Sequence, residues 1–209
     1  MKPKDRVLTS RELEDLITES LPVLLTPARK KPRLVCRPMK EKEHDDILKI
    51  RGQVYLEKGI VKRDMLIDGK EMVDEYEEFA YNYVVVDNDK IVGGTRIIHD
   101  IQGLPADEMY DLSVLRKFGN VGEPSRFVLL PDYRGSGAAT MLMAVAYLHA
   151  VEYGINFYVF SILPSAFEFY KGTVGAQKFG NVKPNAHLPV DSFLVLWDIN
   201  LTPPKIRER

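Results

Sequence analysis

Six charged side chains stand where charge is costly or clustered. Arg51 lies four residues after Ile47 and four before Tyr55, so it shares a helix face with residues expected to be buried. A cation on such a face needs a carboxylate partner. Arg96 falls in an apolar strand beside Gly93 and Gly94, which allow close approach of another chain. Glu123 and Arg126 bracket the start of a further strand, and an acidic stretch offers Asp74 and Glu77. One economical arrangement pairs these charges with one another in a cleft. The other leaves each as a separate surface charge, as most Arg and Glu residues are.

The segment Arg134-Gly135-Ser136-Gly137-Ala138-Ala139 is a second candidate. A strand containing Val128 and Leu130 feeds it through Pro131-Asp132-Tyr133, and it opens onto a helix. Small residues let backbone approach a ligand. The unpaired N–H groups and positive dipole end of a helix start suit an anion, and Arg134 adds a cation. A diphosphate or a phosphopantetheine phosphate is the natural guest. A tight strand-to-helix turn with no ligand explains the glycines equally well. The segment is neither a GxxxxGK phosphate loop nor a GxGxxG dinucleotide turn.

Several elements must position these residues. A capping-box spacing, Thr9 and Glu12, and an apolar stripe predict a helix over 12–20. A connector broken by Pro27 and Pro32 leads to a strand over 34–37 and a helix over 43–56. Strands over 82–86 and 91–99, joined by Asp87-Asn88-Asp89-Lys90, read as a hairpin. A strand over 125–130 leads into the glycine-rich turn and a helix over 137–153 with a broad apolar face. The run NFYVFSIL, apolar on both faces, reads as a central strand. Ser165 and Glu168 have the spacing of a second capping box, for a helix to about 173. Short strands over 178–182 and 193–199 close the domain. This order implies an α+β (mixed α/β) fold, a mixed and mostly antiparallel sheet flanked by helices with one parallel pair at the crossover. The division is an N-terminal helix and connector over 1–32, one domain over 33–200, and a flexible tail over 201–209.

Composition narrows the function classes. The chain has 209 residues, 45% hydrophobic and 28% charged, enough to bury a core without staples. The single cysteine, Cys36, excludes an internal disulfide, reads as a packed thiol, and points with the uncharged-run-free N-terminus to a cytoplasmic home. No apolar stretch is long enough to span a membrane. Residues 1–63 carry 16 Lys/Arg against 10 Asp/Glu, and residues 64–133 carry 6 against 15. The near-neutral total, −1, argues against nucleic-acid binding as the main task. His44, His99, His149 and His187 are scattered without ligand spacing, so no metal is expected. No GxSxG elbow is present.

The R-x-x-G-x-A pattern of the turn resembles the acyl-donor loop of the GNAT superfamily. Downstream, PSAFEFYKGTVGAQKFG is similar to that superfamily's second signature, a tyrosine-bearing helix and a glycine turn into a strand. A helix Arg-x-x-x-Tyr, then D-E-Y-E, G-G-T-R and E-P-S-R-F, occur in that order. They resemble the branch containing long-chain N-acyl amino acid synthases and acyl-homoserine lactone (autoinducer) synthases. Arg51, Asp74, Arg96, Glu123 and Arg126 match its charged set. Glu77 stands where the autoinducer enzymes carry aspartate, and their tryptophan between the first Arg and the acidic motif is missing.

The resemblance implies a GNAT-like fold over residues 33–200. It implies an acyltransferase moving a long-chain acyl group from an acyl-phosphopantetheine thioester, on an acyl carrier protein or on CoA, to the amine of a small molecule such as an amino acid. Glu123 is then the candidate base, directly or through water, and Tyr170 the candidate acid for the leaving thiolate. Backbone N–H groups at Val128–Leu130 would stabilise the developing oxyanion. Arg51, Asp74, Arg96 and Arg126 would bind the acceptor. The loop Arg134–Ala139 would hold the donor phosphate. Phe157, Val159, Phe160, Phe167 and Phe169 are candidates for the acyl slot. The basic N-terminal third suits an acidic carrier protein as well as plain solvent. Three alternatives share these motifs: an autoinducer synthase, an acetyl-CoA-dependent N-acetyltransferase, and a non-catalytic domain binding an acyl carrier or lipid.

Overall fold

Alternating β-branched and aromatic residues build the sheet. In the computed structural model, which describes residues 33–70, 73–185 and 188–207, strand β1 spans Leu34–Pro38 and helix α1 His44–Glu57. The hairpin strands β2 and β3 span Tyr81–Asp87 and Lys90–His99. A four-residue helix α2, Ser113–Arg116, precedes β4, Val121–Leu129. Helix α3 spans Ala138–Tyr153, strand β5 Phe157–Ile162 and helix α4 Phe167–Val174. Strands β6, Gln177–Lys178, and β7, Lys183–Pro184, precede β8, Asp191–Asp198, and helix α5, Pro204–Arg207. The helix expected over 12–20 lies outside the described residues.

The strands pair in the order β1-β2-β3-β4-β5-β8-β6, with β7 also on β8. Every pairing is antiparallel except β4 with β5. That parallel pair is joined through α3, because parallel neighbours need a crossover of helix length. Val85 and Ile97 pack on the side of α3, while Val84 and Val86 pack toward α1. The sheet is therefore covered on both faces, and β5, between β4 and β8, buries Tyr158, Val159 and Phe160. Gly93 and Gly94 let the hairpin and β4 come close. A Cβ at Gly93 would stand 2.6 Å from the Val128 carbonyl oxygen, and one at Gly94 would stand 2.7 Å from that of Tyr83.

Four local expectations change. Strand β4 begins at Val121, not at 125, so Glu123 lies within it. Gly122 and Pro124 hide the strand, yet Pro124 costs little because β5 has already left that edge of β4. The strand expected over 178–182 is two short pieces. Gly180, at φ +138°, turns the chain where the Tyr110 ring leaves no room for a side chain. Ser165 does not cap α4; it sits inside a 3₁₀ turn, Pro164–Ala166, and Ala166 is the residue before the helix. The tail expected to be loose carries α5, whose Ile206 is in the main core. Cys36 is fully buried and burial pushes its thiol pKa up to about 12, so it is an inert packing group.

Two histidines that look scattered in the chain meet. His149 Nε2 lies 2.7 Å from His99 Nε2, and its Nδ1 lies 2.7 Å from the Tyr83 hydroxyl. The rings of Tyr81 and Tyr153 enclose the pair. Burial, then the neighbouring His99, pushes His149 down to about 3, and burial lowers His99. Both stay neutral in the fold at pH values where the unfolded chain takes up protons near 6.5. The histidines of the folded state thus bind fewer protons below that pH, and their contribution to stability falls as pH falls. Between pH 7 and pH 5 the expected loss is about 2 kcal/mol from His149 alone. Urea unfolding of the unaltered chain and of His149→Phe at the two pH values measures it: the stability of the unaltered chain relative to the variant should fall by that amount from pH 7 to pH 5, whatever the buried carboxyls contribute to both. An unchanged difference between the two would refute this origin.

Candidate active site

The site begins with a strand irregularity. Strands β4 and β5 pair only at Val121 with Phe157 and Gly122 with Tyr158, then part. On its other edge β4 bulges: Gly94 faces Val128 but Arg96 faces Ser125, so Thr95 opposes two residues. Arg126, the bulged residue, adopts φ 54°, a left-handed conformation an arginine rarely takes. The Thr95 hydroxyl donates to the Ser125 carbonyl beside it. Between the parted strands lies a cleft of about 630 Å³.

The backbone edge of β4 forms one wall. The Leu130 N–H donates to the Val92 carbonyl, toward β3. Successive N–H groups of a strand point to opposite edges, so that of Leu129 points into the gap left by β5. Of the three residues expected to supply an oxyanion donor, Leu130 is committed to the sheet and Val128 pairs with Gly94. Neither lines the cleft, whereas Leu129 does.

The charges form one connected network. Arg96, 1% exposed, donates from Nη1 and Nη2 to the two Asp74 oxygens at 2.5 and 3.0 Å, and from Nη1 to Glu77 at 2.9 Å. Its Nε donates to the Ser125 hydroxyl at 2.9 Å. Arg51, equally buried, donates to both Glu77 oxygens and to the Asn82 side-chain oxygen at 2.7 Å. The Asn82 amide donates back to Glu77. Arg126 donates to Asp74 at 2.8 Å. Burial pushes the Asp74 and Glu77 carboxyls up, but the guanidiniums more than offset it and hold both below the usual carboxylate range. Asp74, Arg96 and Arg126 reach the cleft, while Arg51 does not. Arg51 holds Glu77, which in turn helps hold Arg96.

Glu123 also lines the cleft and is 4% exposed. One oxygen accepts the Ala106 N–H at 2.9 Å. Burial pushes its pKa up to about 8, against smaller pulls from Arg96 and Arg126. A carboxyl with that pKa exchanges protons near neutral pH. Tyr170 lines the same cleft, packed against Phe127, Phe160 and Phe169. Burial raises its hydroxyl pKa, so it keeps its proton at neutral pH.

The glycine-rich turn reaches the cleft mouth through Arg134, Gly135 and Ala139. Gly135 and Gly137 adopt φ 78° and 96°, conformations that favour glycine. The Ser136 hydroxyl donates to the Tyr133 carbonyl and accepts the Ala138 N–H, bracing the turn. The Ala138 side chain is fully buried in the core and anchors the start of the helix. Arg134 pairs with Glu57 at 3.0 Å. Phe160 and Phe169 line the cleft; Phe157, Val159 and Phe167 do not.

A model of the N-acyl amino acid synthase FeeM family matches residues 46–198, nearly all of the described domain. The chain belongs to the FeeM family of N-acyl amino acid synthases. It is an N-acyltransferase, and its sheet, mostly antiparallel with flanking helices, is the GNAT fold. The solved structure of FeeM from uncultured soil microbes shares 23% identity, with 85% of this chain and 95% of that chain covered at a TM-score of 0.69. The acyl-homoserine lactone synthase LasI shares 15%, over 85% and 96%, at 0.66. A GNAT-family acetyltransferase of Staphylococcus aureus shares 12%, over 79% and 99%, at 0.57. No curated protein sequence matches significantly. Among the described residues, no helix is long and apolar enough to cross a membrane.

Sequence reasoning missed Asn82, Ser125 and the Ala106 N–H, and it named the Val128–Leu130 stretch without singling out Leu129. Asn82 and Ser125 are ordinary strand residues whose partners lie 31 and 29 positions away. Only the resemblance of flanking motifs could have drawn attention to them.

Proposed function

We propose that this synthase transfers an acyl group from a phosphopantetheine thioester to the amine of a small molecule that carries a carboxylate, such as an amino acid. The observation that carries this is Glu123, buried in the cleft wall between the β4 edge and the Asp74–Arg96–Arg126 cluster. The amine loses a proton to Glu123, directly or through water, and attacks the thioester carbon. The N–C bond forms, and the Leu129 N–H meets the developing oxyanion. The C–S bond then breaks, Tyr170 gives a proton to the departing thiolate, and the proton that the new amide nitrogen sheds restores the Tyr170 hydroxyl through water. Holding both reactants between β4 and β5 supplies orientation.

Three arginines and two low-pKa carboxylates leave one net positive charge beside Glu123, so the acceptor's carboxylate can pair with an arginine while its ammonium meets the ionised Glu123. That excess suits the acceptor's carboxylate, through Arg126 or Arg96, more than it suits the extra sulfonium charge of S-adenosylmethionine. The apolar side chains of Phe127, Phe160, Ile162 and Phe169 suit an acyl chain. The loop around Arg134 and Gly135 receives the donor phosphate.

Mass spectrometry of products tests the reading. The purified chain is given acyl carrier protein or CoA thioesters with a mixture of amino acids and S-adenosylmethionine. N-acyl amino acids support it. A homoserine lactone product, or binding of thioesters with no transfer, overturns it.

A further inference from the structure

The arginine that the donor loop offers to a phosphate is already held by a carboxylate. Arg134 Nη1 and Nη2 donate to Glu57 Oε1 and Oε2 at 3.0 and 3.4 Å. Glu57 is the last residue of α1, and Lys58 beside it lines the cleft mouth. The turn itself cannot swing aside freely, because the Tyr133 hydroxyl donates to Asp87 at 2.9 Å. Around this mouth Glu57 neutralises Arg134, and Lys58 is the neighbouring cation that lines the cleft. A donor entering here meets an arginine whose charge is already offset by a carboxylate.

We infer that Glu57 is a donor-selecting residue, which disfavours CoA thioesters relative to donors bearing a single phosphodiester or phosphate on pantetheine. The inference rests on the phosphopantetheine donor reading above. CoA brings a diphosphate and a ribose phosphate; pantetheine on a carrier brings one diester. Each additional anionic charge near the mouth is repelled by Glu57 and gains less from an Arg134 that is already paired. The pair is well exposed, at 39% and 40%, so the effect is modest and screened by salt. Because Glu57 is exposed, replacing it leaves the core intact.

The test compares steady-state KM values for an acyl-CoA and for the matching acyl thioester of 4′-phosphopantetheine, in low-salt buffer, for the unaltered chain and for Glu57→Gln. The expected result is a KM for acyl-CoA lowered by about threefold or more, a KM for the phosphopantetheine thioester lowered by less than about twofold, and a gap that closes at about 0.5 M salt. Equal gains for both donors would make Glu57 a simple competitor for Arg134 and overturn donor selection. No gain for either would overturn it as well. If the unaltered chain transfers from neither thioester nor from an acylated carrier protein, the donor reading itself fails, and this inference with it; transfer from the carrier protein alone, with Glu57→Gln gaining nothing on acyl-CoA, overturns this inference only.

Discussion

Glu123→Gln lowers turnover by about 10²–10³-fold while raising thermal stability. The catalytic loss follows from removing the one cleft carboxyl, among the described residues, whose pKa is pushed up to about 8, close enough to an amine's to take its proton. In the unaltered chain the rate should rise about tenfold per pH unit below 8 and level off above it, and the variant should lack that limb. The stability gain follows from the same burial. The folded pKa lies above the unfolded value of about 4.5, so the stabilising contribution is complete below that value and is lost as pH rises toward 8. Glutamine avoids that loss and keeps an oxygen for the Ala106 N–H. The expected gain is roughly 2–3 kcal/mol at pH 9, a Tm rise of about 5–10 °C, growing between pH 5 and pH 8. Rates from pH 5 to 10 and melting curves at matched pH values measure both. Unchanged turnover removes Glu123 from the role of base, and a Tm difference independent of pH removes its raised pKa.

Glu77→Ala costs about 3–5 kcal/mol of stability. Glu77 is the carboxylate through which Arg51 and Arg96 are joined, and both arginines are 1% exposed. Its removal takes from Arg51 the carboxylate that offsets its charge, in a place too dry for water to replace it. For a chain of this size the Tm should fall by about 8–15 °C. Glu77→Gln keeps an acceptor for both the Arg51 guanidinium and the Asn82 amide, so its loss should be markedly smaller. Guanidinium unfolding of the two variants beside the unaltered chain decides the matter. A loss below about 1 kcal/mol for Glu77→Ala would mean that the network is dispensable to the fold. Acceptor binding should weaken with it, since Arg96 is then held only by Asp74 and Ser125.

The two residues illustrate how differently sequence and structure report. Arg51 announces itself, because its helical spacing from Ile47 and Tyr55 makes an unpaired cation unaffordable, and the structure supplies Glu77 as the partner. Glu123 does not, because Gly122 and Pro124 disguise its strand and its burial depends on Leu104 and Ala106 arriving from a separate loop. Arg134 and the turn were legible as a place for an anion, but the Glu57 pairing was not, since 77 residues separate the two. The histidines were legible only as lacking ligand spacing; their contact is created by the packing of α3 on β3.

The sequence by itself determined most of the long elements, the mixed sheet with one parallel crossover, the helix-opening glycine turn and the need of Arg51 for a partner. Those features follow from local preferences, from hydrophobic period and from the cost of burying a lone charge, all of which act over a few residues. The tertiary structure alone decided where β4 and β5 part, which backbone N–H faces the gap, and which arginines reach the cleft. It also decided how far Glu123 is desolvated. These depend on a one-residue bulge at Arg126 and on segments brought together from across the chain, and no local pattern encodes a register shift or a dielectric environment.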